Sequence, residues 1–276
     1  MSFKYIDTHA HLNLAQFSED ANDVIKRCLD EDVGVINVGI NKVTSQRAVI
    51  LATENENLFA IVGVHPINAI SVDPDDTEAF LPEGTFDYDF YHVLAGNKKV
   101  VGIGECGFDY FHNSDTTYET QREVFLAQIA LANELKKPLM LHLRNNKDGQ
   151  GRNAYNDAYE ILKTEAKVSG NVHFYAGTYE QAKKFFDLGY TVSFTGVITF
   201  AKPYEELIQQ VPLEMIHGET DSPYVAPVPY RGQRCEPWMV KAIYQKIAFL
   251  KNLNEEEVRK QLLKNVQNLY HLSDQK

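Results

Sequence analysis

Three cysteines are all that this 276-residue sequence contains, and Cys28, Cys106 and Cys235 stand far apart with no CxxC spacing. Such usage argues against a disulfide scaffold and suits a reducing cytoplasm. No apolar run approaches the roughly 20 residues that span a bilayer, so no membrane is expected as a partner. The first residues, MSFKYIDTHAH, enter a strand-like pattern at once and lack the charged, apolar and small-residue regions of a secretory signal, so the expected location is the cytoplasm. Positive charge is scarce too: 27 Lys and Arg against 38 Asp and Glu leave a formal net charge of −11. The chain lacks the basic footprint that grips a long duplex through many phosphates, and any nucleic acid must be held locally. Repeats, low-complexity tracts and Gly/Ser linkers are also missing. One domain over residues 1–276 is the working assumption, at a length typical of a single α/β barrel.

What is present is an alternation of a short β-rich run, a polar turn and a helical pattern, which predicts a parallel sheet. Eight runs follow one another at residues 5–11, 33–40, 58–66, 100–105, 139–144, 171–176, 191–196 and 215–221. Eight suggest a closed (β/α)8, TIM-like barrel. Between the fourth and fifth, Phe125, Ile129 and Ala132 recur at i, i+4 and i+7. The tail adds two further helices: Val240, Ile243, Ile247 and Leu250 mark one stripe, and Asn254 with Glu257 reads as a capping pair opening the last, with Val258, Leu262 and Leu269 inward. Residues 71–99 and 144–157 exceed a tight connection and read as loop insertions near the mouth or rim.

Aligned by their C-terminal ends, the runs place His9 and His11 at the end of the first, Glu105 at the end of the fourth, His142 near the end of the fifth, His173 in the sixth and Asp221 at the end of the eighth. In an eight-stranded α/β barrel those ends form the active-site face. Residues two apart on a strand share a side, so His9 and His11 can serve one cation together. The imidazole and carboxylate set suits Zn²⁺, Mn²⁺, Co²⁺ or Ni²⁺, with Mg²⁺ also left open. Four histidines and two carboxylates exceed the needs of one tetrahedral ion, which favours two ions bridged by a carboxylate.

His65, in GVHP, faces the same mouth and is a candidate substrate contact; Arg144 and Arg231 are candidates for phosphate contact, with Arg234 weaker. Asp109 and Tyr110 are expected to shape the pocket or to cap and pack a loop. His92, His112, His217 and His271 read as structural or surface positions. Cys106 follows Glu105 directly, but strand alternation points it to the other side and argues against a catalytic thiol.

These residues resemble the TatD-type metal-dependent deoxyribonucleases of the amidohydrolase superfamily. The likeness runs through IDTHAHLN (6–13), GVHP (63–66), GIGECGFDY (102–110), QREVFLAQIALANELKKPLMLHLR (121–144), the histidine of NVHFYAG (171–177) and, most specifically, ETDSPYVAPVPYRGQRCEPWMV (219–240). It implies a distorted TIM barrel with two divalent cations at its mouth. His9 and His11 would hold one ion, His142 and His173 the other, and Glu105 would bridge. Asp221 would be a ligand and the group that positions or deprotonates the attacking water. Related amidohydrolases bridge their ions with a carbamylated lysine; here the fourth strand ends in Glu105 and contains no lysine. The run FYAGT after His173 departs from the Ser-Phe-Ser-Gly-like run usual in the family, and the two long loops exceed the usual length, both of which bear on substrate fit.

The expected activity is phosphodiester hydrolysis at DNA ends or on a small phosphoester, exonucleolytic rather than along a duplex. Ester or amide hydrolysis at the same centre, for instance of an aminoacyl ester, is the alternative, and a non-catalytic metal-binding scaffold the third reading.

Overall fold

The computed structural model describes residues 3–71 and 83–272. Its centre is a parallel sheet of eight strands in sequence order: β1 (Tyr5–Ala10), β2 (Val33–Val38), β3 (Leu58–Val62), β4 (Val100–Asp109), β5 (Leu139–Arg144), β6 (Gly170–Val172), β7 (Tyr190–Phe194) and β8 (Ile216–Gly218). The helices α1 (Ala21–Asp30), α2 (Lys42–Glu54), α3 (Tyr88–Ala95), the short α4 (Tyr110–Asn113), α5 (Tyr118–Leu135), α6 (Ala154–Glu165), α7 (Tyr179–Asp187) and α8 (Pro203–Gln210) connect them. Two more, α9 (Val240–Lys251) and α10 (Glu255–Tyr270), follow β8. The expected (β/α)8 barrel with extra C-terminal helices is what the chain forms.

The strands form because both of their faces are covered. β2 is buried at every residue, as its near-continuous apolar sequence requires of a parallel strand packed on both sides. Outside, Val35, Leu58, Ala60 and Leu141 share one core with the inner stripes of the helices, where Phe125, Ile129 and Ala132 of α5 are buried as their spacing predicts. Each large side chain so removed from water contributes about 1.5–3 kcal/mol. A second core joins Ile6, Ile36, Val38, Phe59, Ile61 and Met140 to Val266, Leu269 and Tyr270 of α10.

The barrel is distorted where it closes. β1 and β8 form no ladder; one bridge, Ala10 to Ser222, and the bonds His11 N–H to Ser222 O and Asp221 N–H to His9 O, each 2.9 Å, join them at the mouth. Below, the Tyr244 hydroxyl of α9 takes the place of a strand partner, donating to Ile6 O at 2.9 Å and accepting from Ile6 N–H at 3.4 Å. Gly218 makes room for it, since a Cβ there would meet the Tyr244 ring at 2.6 Å. Asp7, wholly buried, adds a second tie by accepting Thr220 N–H at 2.9 Å and the Thr220 hydroxyl.

Several expectations need correction. Residues 83–99 are not a plain insertion: α3 is a barrel helix, with Tyr91 and Ala95 buried, and its density of Asp, Phe and Tyr hid the helical period. The remainder of the expected 71–99 loop, residues 72–82, lies outside the described residues. The 144–157 loop is shorter than read, because Arg144 still belongs to β5 and α6 starts at Ala154, capped by the Asn153 side chain. β6 and β8 stop at Val172 and Gly218, so His173 lies one residue and Asp221 three residues past the ladder. Asn254 does cap α10, through Glu256 N–H rather than by an observed exchange with Glu257.

Candidate metal centre

All six residues expected to bind metal converge on the mouth. Glu105, 2 % exposed, is the hub, and its two oxygens face different imidazoles. Oε1 lies 2.8 Å from His142 Nδ1 and 2.8 Å from His173 Nε2; Oε2 lies 3.3 Å from His9 Nε2 and 3.9 Å from His11 Nε2. Asp221 Oδ1 adds a second carboxylate, 3.4 Å from His11 Nε2 and 3.7 Å from His9 Nε2. The rings of His9 and His173 stack at 3.9 Å, and the Nε2 atoms of His9 and His11 approach to 3.1 Å.

Local irregularities aim these groups. β1 slips against β2 between Asp7 and Ala10, and β4 slips against β5 between Ile103 and Cys106. Such bulges re-aim side chains next to sites, and here each falls on a metal-type residue, His9 and Glu105. Asp221 has φ +55 and Phe174 φ +43. Aspartate tolerates the left-handed region, whereas phenylalanine there is strained. The Phe174 N–H donates to Glu219 Oε1 at 2.6 Å, which holds that turn beside His173.

Hydrogen bonds on the far ring nitrogens fix the tautomers. His11 Nδ1 donates to Val38 O at 2.9 Å and His142 Nε2 donates to Asp109 Oδ2 at 3.0 Å, so the lone pairs of His11 Nε2 and His142 Nδ1 face the mouth. His173 Nδ1 faces Glu219 Oε1 at 3.3 Å as a charge contact without hydrogen-bond geometry, and its Nε2 points toward Glu105. Carboxylates behind ligand histidines orient them and raise their basicity. Asp109 and Glu219 thus serve the centre. Glu219 was not singled out in the sequence; its place two residues before Asp221, on the side that β8 turns inward, was the available signal. Asp109 both caps α4, through His112 N–H at 2.8 Å, and holds His142, so pocket shaping and loop capping describe one residue.

His65 is different. Its Nδ1 accepts Ile67 N–H at 3.1 Å, so the neutral ring carries its proton on Nε2, 3.4 Å from Glu105 Oε1. His65, Glu105 and His142 have ligand atoms close enough for one ion. That tautomer nevertheless suits a hydrogen-bond donor better than a ligand.

The electrostatics fit a cation. Burial works against charge on Glu105, yet the imidazoles of His173, His65 and His9 hold its carboxyl well below the usual range. Burial likewise works against protonation of His11, His142 and His173, but the carboxylates facing them raise all three, and His9 alone among the four, through burial, is lowered. A site that draws protons onto buried imidazoles through unneutralised carboxylates draws a divalent ion for the same reason. Among the described residues, three clusters have ligand atoms close enough to share one: His9, His11 and Glu105; His9, His173 and Asp221; and the His65 group. Buried His9 Nδ1 has no hydrogen-bond partner among the described residues.

Above the centre opens a cavity of about 520 Å³ lined by His65, His112, Arg144, Phe174, Tyr204 and Tyr224 among others. Arg144 therefore lines the cavity, as expected of a residue at the mouth. Arg231 does not line it; its guanidinium lies over the Phe200 ring at 4.1 Å and donates to Ala226 O at 2.8 Å. Arg234 binds Asp20 and Glu236. His112, read as structural or surface, is a surface residue of the cavity itself, with Nδ1 on Asp109 Oδ2 at 2.9 Å. His217 lies buried on Thr191, while His92 pairs with Glu134 at the exposed surface. Cys106 is wholly buried in the outer core, and burial pushes its thiol well up. No described helix is long and apolar enough to cross a membrane.

Comparison with known proteins agrees with this geometry. The family model described as TatD related DNase matches residues 6–271. The uncharacterized metal-dependent hydrolase YabD of Bacillus subtilis (strain 168) is 35 % identical over 272 residues, covering 97 % of this chain and 99 % of the relative. The uncharacterized metal-dependent hydrolase YcfH of Escherichia coli (strain K12) is 32 % identical over 275 residues, with 97 % and 96 % covered. In fold, the crystal structure of YjjV, a TatD homolog from Escherichia coli, superposes with a TM-score of 0.82 at 24 % identity, covering 99 % of this chain and 100 % of that one. Matched along nearly its whole length, the chain belongs to the TatD-related DNase family and is a metal-dependent hydrolase.

Proposed function

We propose that the protein hydrolyses phosphodiester bonds at nucleic-acid ends, most specifically as a DNA exonuclease, with two divalent ions at its mouth. The observation that carries this reading is the division of Glu105: one oxygen faces His142 and His173, the other His9 and His11, which is the disposition of a bridging carboxylate. His9, His11 and Asp221 would hold one ion, and His142 and His173 the other. Such ions, when bound, activate water and neutralise charge on the phosphoryl oxygens.

The chain's own groups supply the rest. Asp221 is buried, which opposes its charge, but His11, His9 and His173 hold its carboxyl below the ordinary value. It is thus an anion able to orient the attacking water and accept its proton at Oδ1. His65 Nε2–H is placed to donate to an oxygen of the reacting phosphate, and Arg144 to bind a phosphate at the entrance. The phosphate preference over an ester or amide rests on these donors and on the description of the matched family.

The test follows end-labelled single-stranded DNA with metal-stripped protein, then with Mg²⁺, Mn²⁺ or Zn²⁺ added. Stepwise shortening that requires the metal and is lost in Asp221→Asn is expected. A fully metal-loaded protein that leaves DNA intact but cleaves an ester or amide panel refutes the nuclease reading and establishes the alternative.

A further inference from the structure

Surface cations of this acidic chain commonly end on carboxylates: Arg27 on Glu236, Arg152 on Asp157, Arg234 on Asp20, Arg259 on Glu256. Arg144 and Lys147 do not. Both are exposed, and neither makes an ion pair or a side-chain hydrogen bond among the described residues. Instead both lie over the ring of Phe111, the guanidinium carbon 3.9 Å and the ammonium 4.4 Å from its centroid. Three segments meet there: α4 supplies Phe111, the end of β5 supplies Arg144, and the loop leading to α6 supplies Lys147.

The carboxylates of this corner are already committed. Asp148 accepts Gln150 N–H, Asp115 accepts Arg152 N–H, Asp157 takes the Arg152 guanidinium and the Tyr110 hydroxyl, and Asp109 takes His142 and His112. An aromatic face attracts a cation without cancelling its charge, so Phe111 limits the wandering of two long side chains while leaving their N–H groups for an anion. The position matters as well. β5 carries His142 at the centre and Arg144 two residues outward, about 7 Å along the strand. Lys147 follows in the loop that leaves β5. A ligand with a single phosphate cannot occupy the centre and this rim together, whereas a polymer of phosphates can.

We infer that Arg144 and Lys147, organised on Phe111, form a rim subsite that holds the backbone of a single-stranded nucleic acid beyond the bond being cut. The inference rests on the phosphodiesterase reading and deepens it, since it names the residues outside the metal centre that hold the strand.

Binding, measured apart from turnover, tests it. Fluorescence anisotropy of a fluorescein-labelled eight-nucleotide oligothymidylate is followed on Mn²⁺-loaded Asp221→Asn protein across a series of NaCl concentrations. The same protein carrying Arg144→Ala and Lys147→Ala is expected to bind about tenfold or more weakly. The slope of log affinity on log salt should be shallower by about 1.4, or about 0.7 for each lost single-strand phosphate contact. Phe111→Leu, which keeps both charges but removes the ring, is expected to weaken binding with little change of slope. An unchanged affinity and slope in the double variant overturns the subsite while leaving the hydrolysis reading standing on its own degradation assay. A parent protein that binds no strand overturns the subsite as well, whatever that assay shows.

Discussion

His142 is held from behind by Asp109: its Nε2 lies 3.0 Å from Asp109 Oδ2, so that Nδ1 faces the mouth 2.8 Å from Glu105. The same carboxylate oxygen receives His112 Nδ1, and the imidazoles hold Asp109 far below the ordinary carboxylate range although burial opposes it. Asp109→Asn should preserve the fold yet weaken divalent-ion affinity about 10–100-fold. Competition with a chromogenic chelator checks this, and an unchanged affinity would remove Asp109 from the centre.

The centre itself predicts a sharper loss. His9→Ala and Glu105→Ala should abolish hydrolysis, and Asp221→Asn should reduce it by about 10²–10⁴, the range of an acid–base group. Melting curves should show all three still folded. Wild-type rates in the three variants on a verified substrate would place the active site elsewhere.

His217 makes stability depend on pH. Burial lowers its pKa to about 3, well under the unfolded histidine value of about 6.5. The folded protein keeps it neutral, so its contribution is complete above the unfolded value and is lost at about 1.4 kcal/mol per pH unit as pH falls toward 3. His11, His142 and His173, which are raised, act in the opposite sense: their contribution is complete below the unfolded value and is lost as pH rises through their folded values. Denaturant melts at pH 7 and pH 5 of the wild type and of His217→Asn isolate the residue. The variant should lose less stability across that interval, and equal losses would contradict the assignment.

The seam between β1 and β8 yields a packing prediction. Tyr244→Phe removes the hydroxyl that serves both backbone groups of Ile6 and should cost about 1–3 kcal/mol. Gly218→Ala drives a methyl into the Tyr244 ring and should cost as much or more. Urea denaturation measures both. Full stability in Gly218→Ala would mean that Tyr244 does not fill the seam.

The sequence by itself determined the periodic order: eight apolar runs, most of them separated by helical patterns from the next though the helix before β4 was hidden, and six metal-type side chains near the run ends. Burial on both faces leaves a parallel strand no choice but to read as a short apolar block, which is why β5 was legible to the residue and Cys106 could be set aside by alternation. Charge was legible too, because an excess of 38 acidic over 27 basic residues leaves only local clusters of cations to meet an anion. Only the tertiary structure decided how those side chains meet. The slips at His9 and Glu105 break strict alternation, and no sequence period announces a bulge. The carboxylates behind His142 and His173 come from other strands and turns, so Asp109 and Glu219 gained their roles from long-range packing. The tautomer of His65 depends on one backbone N–H, from Ile67. Arg144, Lys147 and Phe111 are separated in sequence by up to 36 positions and come together because β4 and β5 are neighbours in the barrel.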